Sequence, residues 1–105
     1  MTQATSQLDA WIAEEQKIIS RLEGGPGPGL ARPDQIAGKT GLEIMQAMLD
    51  GEIPYAAIAK TLAFTILEVR AGVAIFQGTP LPQHLNPLGT IHGGWVATLL
   101  DSALG

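Results

Sequence analysis

The sequence has no cysteine. That absence excludes disulfides, thiol catalysis and thiolate metal sites. Basic residues are few: Lys17, Arg21, Arg32, Lys39, Lys60 and Arg70, scattered along a chain of net charge −4. No basic patch stands ready to neutralise phosphates, so nucleic acid is not an expected partner. There is no long hydrophobic run. The longest apolar stretch, Ala56 to Phe76, is broken by Lys60, Glu68 and Arg70, whereas a membrane span needs about 20 apolar residues. No membrane partner is expected. The first residues lack the basic start and apolar core of a signal peptide, and the expected compartment is the cytoplasm. The glycine-rich stretch 24–39 has no following Gly-Lys-Ser/Thr and no G-x-G-x-x-G, so it is no phosphate cradle. The G-x-S-x-G nucleophile elbow is missing too. Two histidines eight residues apart with one aspartate fall short of the three or four ligands of a metal site. No metal or cofactor is expected.

What the sequence does have is enough apolar residue, 46% of 105, for one globular domain. Residues 6–23 predict an amphipathic helix, with Leu8, Trp11, Ile12, Ile19 and Leu22 at helical spacing. Ser6 is placed to cap it, and Gly24-Gly25-Pro26 to stop it. Residues 24–39 read as a linker by composition. A second helix follows over 40–50. Thr40 and Glu43 fit a capping box, Leu42, Met45, Met48 and Leu49 form its apolar stripe, and Gly51 and Pro54 close it. Residues 55–61 suit a short helical turn. Phe64–Arg70 and Val73–Thr79 are rich in β-branched and apolar residues and flank Ala71-Gly72, which predicts a β-hairpin. The expected organisation is an N-terminal helix and linker over 1–39, then a domain over 40–105.

Both histidines lie in the last stretch, His84 to Gly105. Pro87, Gly89, Gly93 and Gly94 make its first half a loop. Its second half, from Trp95 to Leu104, is apolar on nearly every side, the pattern of a buried helix. Thr98, Asp101 and Ser102 are its polar residues and share one face. Asp101 is therefore expected to be a carboxylate on a mostly buried helix, a costly position unless something satisfies it. A helix apolar all round also needs more cover than two strands supply.

The run His84-x-Asn86-x-x-Gly89-x-x-His92-Gly93-Gly94, followed by Leu100-Asp101-x-Ala103, resembles the signature of hot-dog-fold acyl-CoA thioesterases. It is most similar to the phenylacetate-degradation type of the 4-hydroxybenzoyl-CoA thioesterase superfamily. The resemblance covers about residues 40–105. It implies an α+β hot-dog fold, an antiparallel sheet wrapped around a central helix, with subunits paired into a homodimer or homotetramer. The expectation is that only the opening part is present here: the N-terminal helices, the first hairpin and the start of the central helix. The implied substrate is an aryl-CoA or medium-chain acyl-CoA.

For the residues, the resemblance implies that the Gly93 N–H donates to the thioester oxygen and that Asp101 acts as nucleophile or general base. It makes Asn86 the polar side chain that places the water or the reacting group, and His92 the residue that orients loop and substrate. Gly94, His84 and Trp95 are expected at the substrate. Backbone N–H groups at a helix start are free and carry the positive end of the helix dipole. Spacing adds an inference of its own. Asp101 lies eight residues after Gly93, about 12 Å along a helix at ~1.5 Å per residue. A reacting carbon must sit about 3 Å from its nucleophile while its oxygen meets the donor. The site is thus expected to be shared, with Gly93, His92 and Asn86 from one subunit and Asp101 from another. The alternative is a non-catalytic fragment of the fold, or an acyl-CoA-binding module.

Overall fold

The computed structural model describes residues 3–105, and residues 1 and 2 of the expected N-terminal segment lie outside them. Helix α1 spans Gln3–Glu23. It begins before Ser6, which therefore sits inside the helix and does not cap it. The apolar stripe read from the sequence is only half used. Leu22 is buried and Ile19 half-buried, and Ile18, outside that stripe, is buried too, but Trp11 is 54% exposed and Leu8 and Ile12 are open as well. In their place Glu15, at 2% exposure, faces inward. Residues 15, 18 and 22 follow the i, i+3, i+7 spacing of one helical face. That face was hidden in the sequence because its first member is a carboxylate.

The stretch after α1 is less loose than its composition implies. A short helix, α2, spans Pro33–Ile36, with proline at its first position, where the missing N–H costs nothing. Upstream, Gly29 donates to the Tyr55 carbonyl at 3.0 Å and Tyr55 donates to the Gly27 carbonyl at 3.2 Å. These bonds pin the glycine-proline segment to the core.

Helix α3 spans Gly41–Leu49 and starts as expected. Thr40 Oγ1 accepts the Glu43 N–H at 3.1 Å while Glu43 Oε1 accepts the Thr40 N–H at 2.9 Å, so two orphan donors are satisfied reciprocally. Helix α4 is a short piece over Ala57–Thr61. Strand β1 (Phe64–Arg70) pairs antiparallel with β2 (Val73–Gly78). The hairpin turns at Ala71-Gly72, and Gly72, the second turn residue, takes a left-handed conformation (φ +77°) that glycine adopts without a Cβ penalty. A bulge between Ile66 and Glu68 leaves Leu67 unpaired. A single 3-10 turn over Pro82–His84 leads into the final loop, and α5 spans Gly93–Leu104.

The architecture is α+β: helices around a two-stranded antiparallel sheet. The core is formed by Ile18, Leu22, Tyr55, Ala59 and Phe64, with Phe76 and Leu99 packed against it. The first helix thus shares one core with residues 40–105. The hairpin has a helix on each side. Gln77 reaches α1, where its amide donates to the Trp11 carbonyl at 2.9 Å. Phe76, on the alternate face, borders a cavity with Met45 and Met48 of α3 and Ser102 of α5.

The buried terminal helix is the expectation that changes most. On α5, Trp95 is buried and Leu99 and Ser102 are half-buried, but Val96, Leu100 and Leu104 are exposed, Leu104 at 86%. Asp101 is exposed too, so it is not a carboxylate on a buried helix. The reason is geometric. Helix α5 packs on β2 along residues 99 and 102, and Trp95 is set against Leu62 and His84, whereas the opposite face, 96, 100 and 104, meets solvent.

Candidate functional site

The site is built around the first turn of α5. His92 is the N-cap: its backbone is extended (φ −62°, ψ 132°) and its Nδ1 accepts the Gly94 N–H at 2.8 Å. Its carbonyl accepts the Trp95 N–H at 3.0 Å. The cap explains the second glycine. A Cβ on residue 94 would stand 2.9 Å from His92 Nδ1 and 3.2 Å from Cε1, too close for the imidazole to stay where it is. The first glycine is different. A Cβ at Gly93 meets nothing within 4 Å, and its N–H has no hydrogen-bond partner among the described residues. Gly93 thus offers one free N–H beside open space, at the positive end of a helix.

Trp95 ties this turn to the body of the protein. Its indole N–H donates to the Leu62 carbonyl at 2.6 Å. His84 stands beside it, ring centroids 6.3 Å apart. His84 is buried at 6% exposure and both ring nitrogens are engaged. Nδ1 accepts the Leu81 N–H at 2.9 Å, and Nε2 faces the Thr61 carbonyl at 3.2 Å. With an N–H on one side and a carbonyl on the other, the ring is the neutral Nε2–H tautomer. His84, His92, Gly94 and Trp95 line one cleft of about 300 Å³, with Thr98 and Leu62.

Three of the expected residues lie outside the lining of that cleft. Gly93 is one, its N–H at the helix start. Asn86 is another, and its side chain is used within its own loop. Oδ1 accepts the Leu88 N–H at 2.9 Å and the Thr90 N–H at 3.3 Å, and Nδ2 donates to Thr90 Oγ1 at 2.7 Å. This Asx-type pattern folds 86–90 into a tight loop, closed by the Leu85–Ile91 bridge. Asp101 is the third, two turns along α5 with its carboxylate in solvent and no ion-pair partner among the described residues. The polar face read from the sequence is divided: Thr98 borders the cleft, Ser102 borders the apolar cavity at Phe64 and Phe76, and Asp101 borders neither.

Two polar arrangements escaped the sequence reading. The Glu15 carboxylate accepts from Gln77 Nε2 at 3.0 Å and from Thr79 Oγ1 at 3.1 Å. The Tyr55 hydroxyl donates to the Glu23 carboxylate, and Lys60 Nζ lies 3.5 Å from the same group. Tyr55's hydrogen bond, with Lys60 beside it, holds Glu23 below the usual carboxylate range. Burial, reinforced by the Glu23 charge, pushes Tyr55 up to about 12. Neither was legible, because each joins residues more than thirty positions apart. Among the described residues no group of three or more His, Asp or Glu side chains converges as metal ligands would. No helix among them is long and apolar enough to cross a membrane.

Comparison with protein-family models, with curated proteins and with solved structures returned no match.

Proposed function

We propose that the protein hydrolyses an acyl-CoA or aryl-CoA thioester to the free acid and CoA, on a hot-dog fold whose central helix is α5. One observation carries the reading. Gly93 has an unpaired N–H beside open space at the start of an uninterrupted helix that also bears Asp101. The motif spacing His84-x-Asn86-x-x-Gly89-x-x-His92-Gly93-Gly94 supports the same reading.

The chemistry follows from these parts. The thioester oxygen accepts the Gly93 N–H, and the helix dipole favours the negative charge that grows there. Asp101 either takes a proton from the attacking water or attacks the carbonyl carbon itself. In the first case the water oxygen bonds to the carbonyl carbon, the C–S bond breaks, and CoA leaves as the thiolate with the free acid formed directly. In the second the acyl group passes to Asp101 as a mixed anhydride as CoA leaves, and water then cleaves that anhydride to the free acid and restores the carboxylate. His92 keeps the first turn in shape by capping Gly94. Trp95 gives the cleft an apolar wall. Asn86 shapes the loop that precedes the turn, and its amide reaches a substrate only by exchanging the Thr90 hydroxyl for it.

Asp101 does not serve the Gly93 of its own chain. Eight residues of continuous helix separate them by about 12 Å. The working site therefore takes Asp101 from a second subunit, in a homodimer or homotetramer. The open face of α5, Val96, Leu100 and Leu104, is consistent with cover supplied from outside this segment. The expected compartment is the cytoplasm, where acyl-CoA and aryl-CoA thioesters would be encountered in solution.

A second reading has its own observation. The cleft gathers His84, His92, Gly94 and Trp95 without Asp101, which suits a module that binds an acyl-CoA and does not turn it over. Release of free CoA from a panel of acyl- and aryl-CoA thioesters separates the two. Hydrolysis that disappears in Asp101→Ala supports the enzyme. Saturable binding of the same thioesters with no CoA release supports the binding module.

A further inference from the structure

We propose that His84 is a positioning residue: a neutral imidazole that spans two backbone segments and so sets where the helix start of the site lies. This deepens the reading of that site, but its test does not depend on turnover.

Three bonds make the argument. Nδ1 accepts the Leu81 N–H at 2.9 Å, at the entry of the 3-10 turn. Nε2 donates to the Thr61 carbonyl at 3.2 Å, at the end of α4. The backbone carbonyl of His84 accepts the His92 N–H at 2.9 Å, one residue before α5. The residue thus joins α4, the entry of the loop and the N-cap of α5. Trp95 repeats the tie one position lower, through the Leu62 carbonyl at 2.6 Å. The α4 C-terminus therefore holds the first turn of α5 by two adjacent carbonyls, one through His84 and one through Trp95.

The role is specific in chemistry. The site at 84 needs an acceptor toward Leu81 and a donor toward Thr61, on opposite sides of one planar group. A neutral imidazole offers both. At 6% exposure, little water is there to replace either partner. The resemblance implied contact between His84 and substrate. The bonds leave no ring nitrogen free for a ligand, so in this proposal His84 acts through His92 and Gly94.

Nitrogen-15 NMR of the histidines, with amide exchange, tests it. At neutral pH, His84 should show one unprotonated nitrogen, Nδ1, and one protonated nitrogen, Nε2. His84→Phe keeps a ring beside Trp95 and removes both bonds. It should speed amide exchange at Leu81, His92 and Gly94 by about tenfold relative to the hairpin amides. His84→Gln, whose amide supplies an acceptor and a donor, should restore protection. Nδ1 protonation of His84, or unchanged exchange in His84→Phe, would overturn the proposal. If His84→Phe loses hairpin protection as well, His84→Gln decides. Native exchange at Leu81 and His92 supports the proposal, and exchange as fast as in an unfolded chain overturns it.

Discussion

Gly93 and Asp101 stand at the first and ninth positions of one continuous helix. The first offers an unpaired N–H beside open space, and the second a solvent-exposed carboxylate. They are about 12 Å apart along the axis. Two groups of complementary chemistry on one helix, too far apart to meet, are what lead to the proposal of a site shared between subunits.

Gly93 gives a prediction that separates chemistry from folding. Proline at this position removes the N–H and nothing else of substance. It would be the first residue of the helix, where proline is tolerated. The preceding residue, His92, already has the extended backbone that proline requires of its neighbour, and a Cβ at 93 meets nothing within 4 Å. Gly93→Pro should keep the thermal midpoint close to that of the parent while lowering kcat for thioester hydrolysis by about 10²–10³-fold, the typical cost of one oxyanion donor. A variant that melts normally and retains full kcat would remove Gly93 from the mechanism.

Asp101 should behave as an exposed residue does in stability and as a catalytic one does in rate. Asp101→Ala should shift stability by no more than about 0.5 kcal/mol, because no described partner is lost. It should lower kcat by about 10²–10⁴-fold, the usual contribution of a positioned proton-transfer group. Denaturant titration and CoA release on the same preparation check both halves.

Glu15 is expected to matter for folding. Its carboxylate is buried and takes two hydrogen bonds from the end of β2. Glu15→Ala leaves the Gln77 amide and the Thr79 hydroxyl without that acceptor, at a cost of about 1–3 kcal/mol. A double-mutant cycle with Gln77→Ala should show coupling between the two, whereas additive losses would contradict the contact.

Tyr55 is the chain's one tyrosine, so its ionisation can be followed directly by tyrosinate absorbance. Its value is raised in the fold to about 12 from an ordinary 10.0. The stability that this supplies is complete below the unfolded value and is lost as pH rises through the folded one. Glu23 works in the opposite direction. Its value is lowered, so its contribution is present above the unfolded value and is lost as pH falls through the lower, folded one. The tyrosinate midpoint should lie near 12 in the native protein and near 10.0 in denaturant. Glu23→Gln should bring the native midpoint down, since the Glu23 charge is one of the causes.

What could be read from the sequence was local. The Thr40–Glu43 box is written within four residues, and α3 starts where it says. The strand Phe64–Arg70 and the turn at Ala71-Gly72 are carried by neighbouring residue types, and both are found in place. What could not be read was set by distant partners. Glu15 is buried and Trp11, expected on the apolar stripe, is exposed, because Gln77 and Thr79 arrive opposite Glu15 from more than sixty residues away. Asp101 is open because the cover over α5 depends on how many strands reach it, and the helix's own residues carry no record of that number. At the candidate site, Gly89 in the loop and His92 at its end were legible, whereas the start of α5 at Gly93 instead of Trp95, and the engagement of His84 with Thr61 and Leu81, were not.

The central claim is that one subunit supplies the helix N–H and another the carboxylate. The most direct measurement is CoA release by a mixture of Gly93→Pro and Asp101→Ala chains after subunit exchange, with each variant first shown to be folded and inactive alone. In an equal mixture half of the dimers are mixed, and each mixed dimer holds one site with both groups intact. Activity should therefore return to about a quarter of the parent's. A mixture that has demonstrably exchanged subunits and still releases no CoA would contradict the shared site.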